Sequence, residues 1–428
     1  MTDRRVVSHL LRRVTFGPTA AEVDAVAGTD LGLTVTALLA PAAPPRLPDL
    51  GPDPYATLAA GATKEDKQRA RRAARDQIGD ATWWWLTRMA GGGTAEKLTF
   101  FWHGHWATSV QKVRSAGLML GQQQTFRRYG GGDTGPLVRA MLRDPALIIW
   151  LDGQRNSRTA PNENLARELM ELFTLGVGHY GEDDVKAAAK VLTGWQIDRA
   201  AGTAKLVARR HDDSPVTLLG HRGTLDVDGL ADLLVRHPAH VPFLASRLWT
   251  RYGSGDPAPA PTLRRLIAAG RDVTAMLAAL CTDPAFPATA GHLVKQPVEW
   301  MVGALRQLAV DPATLPDKQR KQVLGGLRAL GQVPFRPPSV GGWPSGAAWL
   351  TTASAQARLR YALALTALAP AAVQSLAEAA KGDRLEALAR LLVVDGWTDR
   401  TAAVLSGAAT EPARLLALGL ATPEYTVH

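Results

Sequence analysis

Apolar residues recur at intervals of three and four along most of the chain, a spacing typical of α-helices. The segment from Asn162 to Gly178 shows this pattern most clearly. At about 100° per residue, its polar side chains fall within an arc of roughly 140°, and the remaining positions are apolar. The pattern predicts an amphipathic helix that ends at Gly176 and Gly178. The side chains on its polar arc are Glu163, Asn164, Arg167, Glu168 and Glu171, with Asn162 at the start.

This polar arc permits two interpretations. It is either a solvated surface joined by i,i+4 pairs such as Glu163 with Arg167, or one wall of a buried site. Three carboxylates, an arginine and asparagines share the arc, in place of the lysine-rich mixture typical of a solvated helix. If the arc is buried, its groups need partners, because unpaired interior polar groups cost several kcal/mol.

The remaining patterns predict a mainly α, multi-helix globular body with long loops rich in Gly, Pro and Trp. One small β-hairpin is expected at about residues 195–209, where apolar residues alternate on either side of Ala-Gly. Residues 41–54 carry six prolines and predict an extended surface segment. The irregular stretch Gly331–Leu350 is long enough to favour a packed segment that lines a site. Four regions are expected within one continuous unit, at residues 1–90, 91–222, 223–352 and 353–428.

Composition narrows the class of protein. The 428 residues carry a net charge of +10, with 46% hydrophobic and 21% charged residues, which indicates an ordered globular chain. The excess of arginine is spread along the sequence, so nucleic-acid binding is not the favoured interpretation. The basic helix expected from Lys64 runs into Trp83–Trp85, where the tryptophans are expected to dock on the core. Cys281 is the only cysteine, which excludes an internal disulfide and a cysteine-based zinc site.

The sequence gives no sign of a membrane segment or of a secretory signal. No window approaches eighteen consecutive apolar residues, so membrane insertion is not expected. The N-terminal stretch lacks an apolar core of the length that a signal peptide needs. The cytoplasm is therefore the expected location, and export together with a partner is left open.

Histidines supply a second set of candidate residues. On a helix His105 faces the interior and His103 lies roughly 160° away, so the two reach one metal only if the helix breaks. Gly104 between them permits such a break. His211 and Asp212, which follow the expected hairpin, form a dipeptide common in metal sites but weak evidence in isolation.

Several blocks of the sequence resemble the bacterial family known as DUF1800, in the family's order and over nearly the whole chain. The blocks are HLLRRVTFGPT, FFWHGHWATS, LDGQRN with PNENLARELMELFTLGVGHYGEDDVKAAAKVLTGW, HDDSPVTLLG, KQPVEW and VPFRPPSVGGWPSG. The resemblance implies no established function. It makes a protein partner plausible, because members often have a gene neighbour of the DUF1501 family, which resembles alkaline phosphatases and sulfatases. Two departures are Pro215–Thr217, where the family often has a lysine, and Trp106, where it often has Phe.

Two functional hypotheses follow. In the first, the chain is a metal-dependent hydrolase or group-transfer enzyme acting on a polar substrate, with a divalent zinc, manganese or iron ion. His103, His105, His211 and Asp212 would be ligands, Glu168 or Glu171 a ligand or general base, and Arg167 a substrate anchor beside Glu163 and Asn164. In the second, the chain is a non-catalytic helical binding or maturation partner of a DUF1501-like protein, and the polar arc is a structural network.

Overall fold

The structure is a computed structural model that describes residues 3–59 and 61–428. It is mainly helical, as predicted. The N-terminal and central helices are α1 Arg4–Val14, α2 Ala20–Val26, α3 Leu31–Leu38, α4 Lys64–Ala90, α5 Thr94–His105, α6 Val110–Val113, α7 Ala116–Tyr129, α8 Thr134–Met141, α9 Pro145–Trp150, α10 Asn164–Glu168 and α11 Glu182–Val191. The later helices are α12 Val227–Arg236, α13 His240–Tyr252, α14 Ala260–Ala268, α15 Val273–Cys281, α16 Pro297–Gln307, α17 Asp317–Ala329, α18 Thr352–Ala367, α19 Pro370–Glu378, α20 Arg384–Leu391, α21 Asp399–Gly407, α22 Pro412–Ala421 and α23 Pro423–Thr426.

The predicted hairpin is confirmed. Strand β1 (Trp195–Asp198) pairs antiparallel with β2 (Thr203–Leu206), with Trp195 opposite Leu206. A second hairpin, which the sequence analysis missed, follows directly.

This second hairpin joins β3 (Val216–Leu218) to β4 (His221–Gly223). Leu219 and Gly220 form its turn with φ values of 48° and 80°. Two-residue hairpin turns favour positive φ at both positions because the backbone twist then matches that of the strands. The three-residue strands are too short to show alternation, so the sequence pattern predicted only the first hairpin.

Local capping signals set several helix ends. Thr63 and Asp66 form a capping box at the start of α4. This helix runs for 27 residues to the glycines after Ala90, and it buries Trp85 completely while Trp83 is nearly buried. The tryptophans therefore dock on the core, as expected.

Helix α5 lies between two hydrophobic cores. Phe101 and Trp102 belong to a first core built mainly from α8 to α15, and Phe100 belongs to a second core built from α4, α7 and the helices from α16 onward. A helix that is buried on nearly all sides has no solvent-exposed face on which substitutions would be tolerated. Both cores draw residues from more than one of the four predicted regions, and that division stays a prediction.

A cluster of buried ions, here called the buried ion cluster, joins α5 to α13 and α16. Lys97 and Arg251 both bind Oε1 of Glu299, and the distance from Arg251 is 2.7 Å. The backbone N–H of Gln296 donates to Oε2 at 2.7 Å. Burial alone would raise the pKa of Glu299, but Arg251 and Lys97 outweigh it and hold this pKa well below its usual range.

Within residues 3–59 and 61–428, no single helix has both the length and the apolar character required to cross a membrane. The consecutive helices α18 and α19 meet that test only as a pair, and they are bent by 84° relative to each other.

We expect Glu299→Gln to lower the free energy of unfolding by about 3–5 kcal/mol, because it leaves two buried cations without a counter-charge. Urea unfolding followed by tryptophan fluorescence measures the change. The matched control is Glu182→Gln, which breaks the exposed pair with Arg167 and should barely move the midpoint. Equal shifts for the two variants would contradict a dominant role for the buried ion cluster.

Asp144 predicts a pH dependence of stability. This buried N-cap of α9 accepts from Leu147 N and Gln122 Nε2, both at 2.7 Å, but burial raises its pKa from 3.8 to about 7. A raised acid pKa favours the protonated form in the folded state. The stabilisation that Asp144 contributes is therefore complete below pH 4. It is lost as the pH rises towards 7, because the carboxyl ionises in the unfolded chain before it does so in the folded one.

We expect Asp144→Asn, which keeps both acceptor bonds, to gain a few kcal/mol of stability relative to the wild type between pH 5 and pH 8. Unfolding free energies of both proteins across this range test the prediction. Asp272→Asn, at the exposed N-cap of α15, provides the reference profile. If the difference in unfolding free energy between the wild type and Asp144→Asn did not change with pH, the prediction would be refuted.

Candidate functional site

The predicted polar arc lies half-exposed at the surface. Helix α10 carries Arg167, which binds Glu163 at 3.2 Å and Glu182 of α11 at 2.7 Å. The side chains of Arg167 and Glu163 are 35% and 38% exposed. The apolar residues of the same segment, among them Leu165 and Leu169, are buried as the pattern predicted.

The other carboxylates of the arc form a second small group. Glu171 accepts a hydrogen bond from the Tyr180 hydroxyl at 2.8 Å. Burial, followed by the nearby charge of Glu171, raises the pKa of Glu168. Asn164 donates to the Leu151 carbonyl at 3.2 Å and so fastens the start of α10 to the preceding loop.

His211 and Asp212 lie at the end of α11, where both are held by Thr193. The ring Nδ1 of His211 lies 3.0 Å from the Thr193 carbonyl, and the backbone N–H of Asp212 donates to Thr193 Oγ1 at 2.8 Å. Asp212 also accepts from Ser214, which lowers the pKa of this carboxyl.

Helix α10 continues as a π-helix, Leu169–Thr174, and two buried histidines bind the carbonyls at its end. His105 Nε2 lies 2.9 Å from the Phe173 carbonyl, and His240 Nδ1 lies 3.0 Å from the Thr174 carbonyl. Because a carbonyl only accepts, Nε2 carries the hydrogen in His105. Short π-helical turns are frequent at functional sites. The Phe173 and Thr174 carbonyls lie in the last turn, where carbonyls have no partner within the helix, and the two histidines supply one.

His103 has the opposite tautomer on the other side of α5. Its Nε2 accepts from the backbone N–H of Phe335 at 3.1 Å, while Val110 N donates to the Phe335 carbonyl at 2.9 Å. His103 thereby fastens the loop that begins near Phe335. Burial lowers the pKa of both His103 and His105 to about 3, so both rings are neutral at pH 7.

The expected break at Gly104 is absent, which corrects the predicted geometry of the histidine pair. Helix α5 continues to His105, so the two rings face opposite sides. Neither ring is hydrogen-bonded to a carboxylate. Among the described residues, no three His, Cys, Asp or Glu side chains are grouped so that they would hold a metal ion. The structure does not bring the predicted ligands His103, His105, His211 and Asp212 together with Glu168 and Glu171, and their roles stay predictions.

The structure instead forms a cleft at the end of α5, here called the arginine cleft. It has a volume of about 140 Å³ and lies between α5, α13, the start of α16 and the loop after Phe335. The polar side chains that line it are His105, Arg247, Thr250, Arg251, Gln296 and Ser345.

A close contact between Gly342 and Gly104 places the loop after Phe335 directly against α5. Gly342 has φ +83°, and a Cβ at this position would lie 2.3 Å from the carbonyl oxygen of Gly104. Backbone thus packs directly on backbone, and Gly341, Trp343 and Gly346 form one wall of the arginine cleft. The prediction that Gly331–Leu350 lines a site agrees with this placement.

Positive charge dominates the arginine cleft. Arg247 has no ion pair with any described residue, and Arg251 shares Glu299 with Lys97. Burial lowers the pKa of Lys97 to about 8, although Glu299 opposes this shift. Buried Lys295 also interacts with Glu299 and with Lys97. One carboxylate therefore balances several cations beneath the cleft.

The two arginines of the cleft were not predicted from the sequence. Arg247 and Arg251 lie four residues apart on α13, so both project from the same side of that helix. This spacing was available from the sequence, but it is also typical of a solvated helix face.

A family model described as "Protein of unknown function (DUF1800)" matches residues 9–427. The chain belongs to the DUF1800 family. No curated protein and no solved structure matches it.

Three of the blocks that carry the resemblance meet at the arginine cleft of this DUF1800 chain. The HGHW block supplies Gly104 and His105, KQPVEW supplies Gln296, and VGGWPSG supplies the glycine-rich wall. Segments far apart in the sequence therefore build one small concave site, which makes this cleft the best candidate for function.

We expect Gly342→Ala to destabilise the protein by about 2 kcal/mol or more, because alanine is strained at positive φ and its Cβ meets backbone that cannot move aside. Gly341→Ala is the control: its Cβ would meet only Ser339 Oγ at 3.6 Å. Thermal unfolding of both variants measures the difference, and equal melting temperatures would show that the close approach to Gly104 is not required.

Proposed function

We propose that the DUF1800 chain binds an anionic group of a polar ligand, a carboxylate or a phosphate, in the arginine cleft. The observation that carries the proposal is the unpaired guanidinium of Arg247 in a concave site. Arginine is well suited to this role because its planar fork matches both oxyanions.

The surrounding charges support an anion at this position. Arg251 neighbours Arg247 on α13, and Lys97, Arg13 and Lys295 share the single carboxylate of Glu299. A bound anion would reduce the repulsion among these cations. The Arg251 side chain is only 14% exposed, so its attraction for an anion is screened less than on an open surface.

Neutral groups of the cleft would orient the ligand. Gln296 Oε1 is held by Gln332 Nε2 at 2.8 Å, so the Gln296 amide nitrogen is the group available to donate. His105 remains neutral, and its Nε2–H is used by Phe173. It therefore contributes ring contact to the wall of the cleft, and Arg247 supplies the charge.

Metal-dependent hydrolysis or group transfer and partnership with a DUF1501-like protein remain separate predictions. The described contacts favour neither of them. An anion-binding cleft is compatible with a catalytic role or with a binding role, and the ligand test below depends on neither.

We expect inorganic phosphate or acetate to bind the purified protein saturably, as measured by isothermal titration calorimetry at constant ionic strength. Arg247→Gln should weaken the affinity about tenfold or more, since it removes a charge-assisted contact. Arg247→Lys, which keeps the charge but loses the fork, should have an intermediate affinity.

Arg72→Gln, at an exposed position of α4, is the matched control, because it removes the same charge from a side chain that does not line the cleft. Its affinity should equal that of the wild type. The proposal fails if neither anion binds, or if Arg247→Gln and Arg72→Gln behave alike.

A further inference from the structure

A second and much larger cavity lies apart from the arginine cleft. Its volume is about 1110 Å³, and it lies between α3, the first turns of α5, the end of α7 and the start of α15. Pockets for small molecules commonly enclose about 300–1,000 Å³. This cavity therefore has room for a ligand considerably longer than a single anion.

Most of its walls are apolar. Large aliphatic and aromatic side chains from five separate segments of the chain line it: Val14, Leu38, Leu39, Leu98, Phe126 and Leu277. Burying an alkyl chain against such walls contributes about 0.8 kcal/mol per methylene group.

Residues 39–45, here called the roof segment, cover the cavity. Thr94 Oγ1 donates to the Leu38 carbonyl just before this segment, and Gln124 Nε2 donates to the Pro45 carbonyl at 2.8 Å at its end. Between these two anchors, residues 41–44 are exposed and three of the roof residues are prolines. An extended proline-rich chain held only at its ends leaves the space beneath it unfilled by side chains of its own.

Unpaired positive charge lies at the rim. Arg88 and Arg128 line the cavity, are exposed, and have no ion pair with any described residue. Arg127 is already neutralised by Glu96 at 2.8 Å. The remaining acid, Asp272, accepts from Ala275 N as the N-cap of α15.

We propose that this cavity binds a single-chain amphiphile with a carboxylate headgroup, a long-chain fatty acid. The alkyl chain would lie along the apolar walls under the roof segment, and the carboxylate would bind Arg88 and Arg128. A concave, half-open cavity of this volume suits one chain of a free amphiphile better than the flat surface of a bilayer. This inference is independent of the anion proposed for the arginine cleft.

The test is isothermal titration of the full chain with dodecanoate below its micellar concentration. We expect saturable binding of one molecule. Butyrate, which has eight fewer methylene groups, should bind at least a hundredfold more weakly. Dodecyltrimethylammonium, which has the same chain length and the opposite charge, should bind at least tenfold more weakly.

Two kinds of variant locate the site. Ala275→Trp places a large ring in the cavity from an exposed position of α15 and should weaken dodecanoate at least tenfold. Ala355→Trp, at an exposed position of α18 that does not line the cavity, is its control. The double variant Arg88→Gln, Arg128→Gln should lose the preference for dodecanoate over dodecyltrimethylammonium, whereas Arg72→Gln on the same helix as Arg88 should retain it. Circular dichroism confirms that each variant folds.

Several outcomes would overturn the proposal. They are the absence of saturable dodecanoate binding, equal binding of the cationic amphiphile by the wild type, and an unchanged affinity in Ala275→Trp. Tighter binding of dodecyl phosphate than of dodecanoate would overturn the carboxylate assignment.

Discussion

The carboxylate of Glu299 is the constraint on which the arrangement of this molecule depends. It accepts from Lys97 on α5 and Arg251 on α13, while its own helix, α16, begins at the same point. A buried charge costs several kcal/mol unless its partners are in place. The three helices therefore have to meet in one register, and that register fixes the rotation of α5. The positions of His103, Gly104 and His105 follow from it.

The histidines of α5 act on the backbone of other segments. His105 binds a carbonyl at the end of the π-helix, and His103 binds the N–H of Phe335, whose φ is 66°. Both contacts hold irregular backbone, where buried polar groups lack the partners that regular helices supply. Removing either ring would leave a buried backbone group unsatisfied, at a cost of about 1–3 kcal/mol. A histidine pattern that suggests metal ligands thus has a second physical use, the fixing of loops that form a cleft.

Local signals were sufficient to predict much of the fold. The helix that begins at Lys64 and the first hairpin depend on patterns of neighbouring residues, so the sequence shows them directly. The candidate site depends on partners that lie far apart. Lys97 and Glu299 are 202 residues apart, and each taken alone resembles any charged residue of a helix. The arc from Glu163 to Glu171 attracted attention because its polar groups are neighbours in sequence, yet a local pattern cannot decide which side of a helix is covered.

The charge of Arg247 does not stabilise the folded chain. It adds a guanidinium to a region where Arg251, Lys97 and Lys295 already share one carboxylate, and it gains no ion pair in return. Partial burial lowers the pKa of its guanidinium, so the charged form is less favourable here than in open water. An arginine without a counter-charge in the folded chain is typical of a binding site, because the ligand supplies the missing negative charge. The same reasoning separates Arg247 from Arg167, whose charge is already matched by Glu163 and Glu182. An arginine satisfied within its own chain gains little from a ligand, whereas one left unsatisfied in a concave site gains the full charge-assisted contact.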